Sequence, residues 1–329
     1  MADIIKPEKL RKGDIVGVIS PSSAVVSKAD LAFGMKVLEE LGFKPKLGLK
    51  ALAVHGNYQA GPREDRLSDL HAMFADDEVK AIFCTSGGYA AIQLLPDIDW
   101  DLIRKNPKIF VGYSDITMLL NAMNSKTGLI TFHGPTIDEL NSSRTKGGKY
   151  TITSLMHALT KGTPQKYPSF TEWKTLKPGR AEGELLGGNL NIVASLLGMP
   201  HEPKWDGKIL FIEEVGATIE EIDHYLWRLR VARVFKKIDG LVIGKITNIQ
   251  SIETENDYWA ALDKPLTIED VILRATDGFN FPVLYGVDFG HEVPSLTLPV
   301  GGMAKLDCPA SGRIGSLSTA EKYLSDDSG

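Results

Sequence analysis

The first 140 residues alternate between short apolar runs and stretches in which apolar residues recur at helical spacing. Four short runs are mainly apolar and bounded by glycine, proline or polar residues, which is typical of strands buried on both faces: 14–20, 79–84, 108–113 and 128–135. Helical spacing is found over residues 28–41 and 62–75. This alternation predicts a parallel, doubly wound sheet with its site at the carboxyl ends of the strands.

A polar segment separates this alternation from a second one. Residues 141–180 are rich in glycine, proline and lysine around one helical pattern at 151–160, and we interpret them as a linker and active-site loop. From residue 181 strand and helix patterns resume, and the tail alternates like strands with a glycine-rich corner. Since 329 residues exceed what one core usually serves, we predict two domains, over 1–140 and 181–329.

Composition and charge narrow the classes of function. The net charge of −5 does not favour nucleic-acid binding, which needs a basic face. No stretch approaches 18 apolar residues and the N-terminus lacks the apolar segment of a secretory signal, so we expect a cytoplasmic protein that does not span a membrane. Cys84 and Cys308 lie far apart and no Cys/His metal spacing is present, so we expect neither a metal nor another cofactor.

Ser114 stands where the predicted strand 108–113 runs into an apolar helical stretch. A sharp turn from strand to helix lifts a side chain clear of the sheet and points the first free N–H groups of the helix at a bound group. Such N–H groups suit the oxyanion of an acyl transfer, as in a nucleophile elbow, although G-Y-S-D-I lacks the second glycine of that motif. The alternative is that Ser114 only caps the helix.

Candidates for a general base and its orienting acid also lie near predicted strand ends. His291 follows an apolar run in a glycine-containing loop, and His133 and His55 are its rivals. Glu213 and Glu214 end an apolar strand and either could orient a histidine. Adjacent strand residues point to opposite faces, so only one of the two acids can serve, and the pattern leaves the choice open.

Gly87 and Gly88 follow the predicted strand 79–84. In a parallel sheet this position shares an edge with Ser114. Because glycine allows close backbone approach, an N–H group of this turn is a candidate for completing an oxyanion hole.

Seven segments, taken in order, resemble the LD-carboxypeptidases and their relatives, the MccF-like microcin C immunity peptidases. They are VGVISPSS, SGGYA, VGYSDIT, FHGP, GELLGGNL, LFIEE and GHEVPSLTLPVG. The resemblance implies an α/β protein with an N-terminal flavodoxin-like parallel-sheet domain and a C-terminal β-rich α+β domain. It also implies a homodimer without a metal.

The resemblance further implies a serine peptidase that cleaves a terminal amide bond, releasing D-alanine from a murein tetrapeptide. Hydrolysis of an aminoacyl-nucleotide conjugate of the microcin C type is the alternative. By position, Ser114 is the nucleophile, His291 the base and Glu213 the acid, and the N–H groups of Gly88 and Asp115 form the oxyanion hole. A different class of protein stays open beside these: a non-catalytic α/β module that holds an anion at the helix N-terminus.

Substrate contacts are implied at the same positions. Family members often carry Arg where this chain has Ser86, beside Gly87, and glycine where it has Ala90. Trp173 matches a loop tryptophan that stacks on an adenine ring in MccF-like members. An ordinary loop anchor is the alternative for Trp173, and Glu214 remains the second choice for the acid.

Overall fold

The computed structural model describes residues 3–250, 266–310 and 314–326 and contains two sheets. The strands of the first sheet are β1 (Ile15–Ile19), β2 (Lys44–Leu47), β3 (Val79–Cys84), β4 (Ile109–Gly112), β5 (Thr131–His133) and β11 (Leu298–Val300). Their order is β11-β5-β4-β3-β1-β2, with β1 to β5 parallel and β11 antiparallel to β5. The order 2-1-3-4-5 of the first five strands is flavodoxin-like, which confirms the predicted parallel sheet.

The helices of this part connect its parallel strands. They are α1 (Lys28–Glu40), α2 (Arg63–Ala75), α3 (Trp100–Lys105), α4 (Thr117–Thr127) and, after β5, α5 (Lys146–Thr160). The helical patterns at 28–41 and 62–75 are confirmed as α1 and α2. Helix α5 begins earlier than its pattern indicates because the Thr145 hydroxyl accepts a hydrogen bond from the Gly148 N–H at 2.9 Å and caps it.

The second sheet is larger and mixed. Its strands are β6 (Lys174–Lys177), β7 (Gly179–Asn189), β8 (Ile209–Val215), β9 (Gly240–Thr247), β10 (Val283–Tyr285), β12 (Met303–Cys308) and β13 (Ser316–Thr319). Strands β7 to β10 are parallel neighbours, and antiparallel strands flank them in the order β13-β12-β7-β8-β9-β10-β6. The accompanying helices are α6 (Leu190–Leu196), α7 (Ile219–Val231) and α8 (Ile268–Ala275). This is the expected β-rich second part of the chain.

Contacts between helix α4 and strand β7 join the two sheets. The Asn121 side chain donates to the Gly187 carbonyl at 2.8 Å and accepts from the Gly187 N–H at 3.2 Å. The Thr117 hydroxyl accepts from the Asn189 N–H at 3.0 Å. These bonds fix the start of α4, three residues beyond Ser114, against the sheet that carries the candidate acids.

The chain crosses between the two sheets more than once. Strand β11 lies far along the chain yet completes the first sheet, and β6 falls inside the segment interpreted as a linker yet pairs with β10. The boundaries at 140 and 181 therefore stay a prediction. Over the described ranges, none of the helices combines the length and apolar character that crossing a membrane requires.

Candidate active site

Ser114 occupies a strained turn at the carboxyl end of β4. Its φ of 59° lies in the left-handed region, which non-glycine residues rarely adopt and which is typical of a nucleophile elbow. Helix α4 begins only at Thr117, and its cap residue, Ile116, makes no side-chain cap bond. The capping alternative for Ser114 is therefore wrong. Across the described parts of the chain its hydroxyl forms no hydrogen bond, and the residue is partly exposed.

The glycine turn after β3 approaches this serine closely. A Cβ atom built on Gly87 would lie 2.9 Å from the Ser114 Oγ and 3.5 Å from the Asp115 nitrogen. Gly88 has a φ of 135°, and a Cβ atom there would lie 1.9 Å from the Ser23 Oγ. The predicted meeting of the two turns at one sheet edge is observed, and it requires residues without a Cβ atom.

The side chain of Asp115 ties these turns together. It is 3% exposed, and its Oδ2 atom accepts hydrogen bonds from the Ser22 hydroxyl at 2.5 Å and the Ala91 N–H at 2.8 Å. The Ser22 hydroxyl in turn accepts from the Ala90 N–H at 3.1 Å. As the second residue of a short 3-10 helix, Asp115 has a backbone N–H without a partner inside that helix. The resemblance implies a role for this N–H group only, and nothing in the sequence indicates the contacts of the carboxylate.

A buried arginine supports the same turn from helix α2. The Arg66 guanidinium, 1% exposed, donates to the carbonyls of Pro21 at 3.0 Å and Ala90 at 2.9 Å, and to the Gln93 side chain at 2.6 Å. Burial lowers the pKa of Arg66. The sequence pattern gave no sign of this role because Arg66 reads as one more polar residue of an amphipathic helix.

Replacing Gly88 with alanine should lower kcat/KM by about 10²-fold or more, because the new methyl group displaces the turn and a candidate oxyanion donor with it. Initial rates and circular dichroism would measure the change. Gly13→Ala is the matched control, since Gly13 also has a positive φ, 92°, but nothing within 4 Å of its built Cβ atom. Equal activity of the two variants would contradict the role of the turn.

His291 is hydrogen bonded to Glu213. The His291 Nδ1 and Glu213 Oε2 atoms are 2.7 Å apart, with the glutamate side chain fully buried and the histidine side chain 16% exposed. Burial by itself lowers the pKa of His291, but the hydrogen bond and charge of Glu213, with smaller effects of Glu139 and Glu214, outweigh it and raise the pKa above its ordinary value. A proton on Nδ1 shared with the carboxylate leaves Nε2 of the neutral ring as a base.

A β-bulge in β9 holds the loop that carries His291. Between β8 and β9 the register shifts, so that Ile212 and Glu214 are two residues apart while their partners are three apart. At the bulge the Lys245 N–H donates to the Phe289 carbonyl at 2.8 Å, two residues before His291. Bulges often redirect a strand beside an active site, and this one sets the His291 loop next to Glu213.

Glu214 faces the other way along β8 and binds backbone. It accepts hydrogen bonds from the Asn189 side chain at 3.0 Å and from the N–H groups of Asn191 at 2.9 Å and Val215 at 2.9 Å. These contacts stabilise the start of helix α6. Of the two acids, the geometry therefore favours Glu213 as the partner of the histidine.

Tyr113 links the histidine to the serine turn. Its ring centroid is 4.6 Å from that of His291, so the imidazole lies beside the residue that precedes Ser114.

The two rival histidines are not placed to act as the base. The ring centroid of His133 is 5.8 Å from that of Tyr113, and His133 is 1% exposed, with its pKa lowered to about 3 by burial and by His291. The other rival, His55, belongs to an exposed loop. Within the described residues no hydrogen bond joins Ser114 to His291, a link that often tightens only when substrate is bound.

The Trp173 side chain is buried and not exposed to solvent. It is 3% exposed, and its indole N–H donates to the Asp288 Oδ2 atom at 2.9 Å, which also accepts from the Phe170 N–H at 2.7 Å. In this arrangement the tryptophan anchors its loop through Asp288, whose role no local sequence pattern indicates. Stacking on an adenine ring stays a prediction, and it requires the indole to leave this position.

Among the residues that the structure describes, no cluster of three or more His, Cys, Asp or Glu side chains could hold a metal ion.

Two known protein domains match most of the chain. Residues 16–134 match the LD-carboxypeptidase N-terminal domain and residues 182–306 match the LD-carboxypeptidase C-terminal domain. A probable murein peptide carboxypeptidase of Bacillus subtilis (strain 168) is 40% identical over 311 aligned positions, in an alignment that covers 92% of this chain and 91% of the relative.

Microcin immunity proteins are similar as well. The microcin C7 self-immunity protein MccF of Escherichia coli is 30% identical in an alignment that covers 96% of each chain. A crystal structure of an MccF-like protein from Bacillus anthracis (strain Ames) has a TM-score of 0.86 at 32% identity and covers 96% of this chain and 99% of its own. A structure of MccF in complex with aspartyl sulfamoyl adenosine also has a TM-score of 0.86, at 28% identity, covering 98% of this chain and 100% of that one.

Proposed function

This chain belongs to the LD-carboxypeptidase family, and from that premise we propose that it releases the terminal D-alanine of a murein tetrapeptide through Ser114, His291 and Glu213. It is a serine peptidase by its family. The observation that carries the proposal is the 2.7 Å hydrogen bond between His291 and Glu213, beside the strained turn that exposes Ser114. The Bacillus subtilis relative that is 40% identical is named a probable murein peptide carboxypeptidase, which favours this substrate class.

The reaction proceeds in two acyl-transfer steps. Nε2 of His291 takes the hydroxyl proton as the Ser114 Oγ attacks the carbonyl carbon of the terminal amide, and the oxyanion binds the N–H groups of Gly88 and Asp115. The imidazolium then protonates the leaving amine, so that D-alanine departs and an acyl-enzyme remains. Water, deprotonated by His291, hydrolyses the ester, while Glu213 stabilises the charged ring in both steps.

Ser86 and Gly87 are proposed to contact the substrate beside this centre. Both are partly exposed on the turn that touches Ser114. Ser86 offers a hydroxyl where many family members carry arginine, so the substrate carboxylate meets a neutral donor here. Arg66 is buried under the same turn and bonded to protein carbonyls, which leaves it a supporting role. We further propose that the protein acts as a homodimer in the cytoplasm.

An aminoacyl-nucleotide conjugate is the second candidate substrate. It is favoured by the TM-score of 0.86 to MccF bound to aspartyl sulfamoyl adenosine. The burial of Trp173 weighs against it, because the indole at 3% exposure offers little surface to a nucleotide base.

A panel of substrates tests the proposal. Murein tetrapeptide, the same peptide ending in L-alanine, and aspartyl sulfamoyl adenosine would each be incubated with enzyme, and released amino acid quantified. We expect release of D-alanine from the first substrate only. Release of aspartate alone would transfer the assignment to the second candidate. If all three stay intact and a serine-directed probe small enough for the site fails to label Ser114, the peptidase assignment of this site is wrong and the anion-binding module gains support.

A further inference from the structure

A tyrosine–glutamate pair lies against the imidazole that the proposed reaction uses. The Tyr113 hydroxyl donates a hydrogen bond to the Glu139 Oε1 atom. The Tyr113 ring is 7% exposed, and its plane is tilted by 56° to that of His291 at a centroid distance of 4.6 Å. The imidazole therefore has two supports, the carboxylate of Glu213 at Nδ1 and the tyrosine ring.

We propose that Tyr113 and Glu139 are positioning residues that orient the His291 imidazole relative to Ser114. The inference rests on the proposed role of His291 and adds a second acid, reached through tyrosine, to the one already assigned.

Geometry supports the positioning role first. Tyr113 directly precedes Ser114, so its ring and the nucleophile belong to one rigid turn at the end of β4. Glu139 lies in a separate 3-10 helix, Ile137–Ser142, and holds the hydroxyl end of the ring. On another side the ring meets His133, whose pKa is lowered so far by burial that it stays uncharged. The ring thus has a fixed orientation, and the imidazole packed on it shares that constraint.

The charges around His291 affect the pH at which its imidazole loses a proton and becomes a base. Burial raises the pKa of Glu139 to about 7; the hydrogen bond from Tyr113 partly opposes this rise and the charge of Asp138 adds to it. Three carboxylates act on His291 through their charge, Glu213, Glu139 and, more remotely, Glu214, and all three favour the imidazolium. Neutral His133 and un-ionised Tyr113 contribute no charge near neutral pH. Because the charges of Glu139 and His291 act on each other, their titrations are coupled, and ionised Glu139 delays deprotonation of the imidazole.

The Glu139→Gln variant removes the negative charge of Glu139 but keeps its hydrogen bond with Tyr113, because the amide oxygen can still accept from the tyrosine hydroxyl. The pKa of His291, followed by NMR of isotopically labelled imidazole, should fall by about half a unit or more. The acid limb of the kcat/KM profile should move to lower pH by the same amount. A role limited to packing would lower activity at every pH and move neither quantity, and an unmoved pKa would overturn the inference.

Two further variants sharpen the test. Tyr113→Phe keeps the ring but removes the bond that lowers the pKa of Glu139, so more Glu139 is protonated and the pKa of His291 should again fall. Asp138→Asn is the matched control: it removes one charge next door, lowers the pKa of Glu139, and should leave the pKa of His291 unchanged or higher. A fall equal to that of Glu139→Gln would overturn the specific role of Glu139.

The NMR measurement needs no turnover, so it separates this inference from the proposed function. If the enzyme hydrolyses no substrate of the panel but the pKa of His291 shifts in Glu139→Gln, only the proposed function is contradicted. An active enzyme whose His291 pKa ignores Glu139 contradicts the inference alone.

Discussion

Replacing Ser114 with alanine should lower kcat by about 10⁴-fold or more, because the members of a nucleophile–base–acid unit act together and loss of one removes most of its effect. Substrate binding should persist, since the glycine turn and the N–H groups remain. The stability of the variant should change little, because alanine meets the same strain at a φ of 59° as serine does. Release of D-alanine, isothermal titration with tetrapeptide and thermal unfolding would measure the three quantities.

Ser195→Ala provides the matched control for this change. Ser195 is also partly exposed, but its hydroxyl donates a hydrogen bond to the Asn191 carbonyl of its own helix at 2.9 Å. This variant should retain full activity and full labelling by a serine-directed probe, whereas Ser114→Ala should lose the label. If Ser114→Ala keeps more than a small fraction of the wild-type rate, another residue is the nucleophile.

The neighbouring acids Glu213 and Glu214 should respond to the same substitution in opposite ways. Glu213→Gln should lower kcat by about 10³- to 10⁴-fold, because an amide neither stabilises the imidazolium nor enforces the tautomer with Nε2 free. It should also lower the pKa of His291, since the hydrogen bond and charge that raise it are lost. The measurements are kcat and the histidine titration by NMR.

Glu214→Gln should leave kcat within a few fold of wild type and lower the free energy of unfolding by about 1–3 kcal/mol instead. The buried carboxylate accepts two hydrogen bonds from the start of helix α6 and one from the Val215 N–H, and the amide satisfies only part of them. Denaturant titration of both variants gives the comparison. A large loss of kcat in Glu214→Gln, with Glu213→Gln active, would reassign the acid.

Much of the fold could be predicted from local patterns. The buried strands β1, β3 and β8 consist mainly of apolar residues, and helices α1 and α2 repeat theirs at helical spacing. Strand β2 and helix α3 escaped prediction because they are short: β2 is the polar edge strand KPKL and α3 has only six residues. Such segments contain too few periods for a pattern, and their structure depends on the neighbours against which they pack.

By itself the sequence determined the two alternations of strand and helix, the place of Ser114 at a strand–helix junction, and the types of group available for acyl transfer. These follow from local periodicity and chain order, which act over a few residues. It could not choose between Glu213 and Glu214, because alternation shows that the two faces differ but not which face meets His291. The register of β8 against its neighbours and the bulge in β9 decided that.

Tertiary structure also decided the burial of Trp173, the hydrogen bonds of Asp115 with Ser22 and Ala91, and the pairing of Tyr113 with Glu139. Each of these contacts joins residues that are distant in the chain or in separate loops, where no periodic signal exists. Their partners are selected by how the sheets and turns pack, and that packing is a property of the whole folded chain.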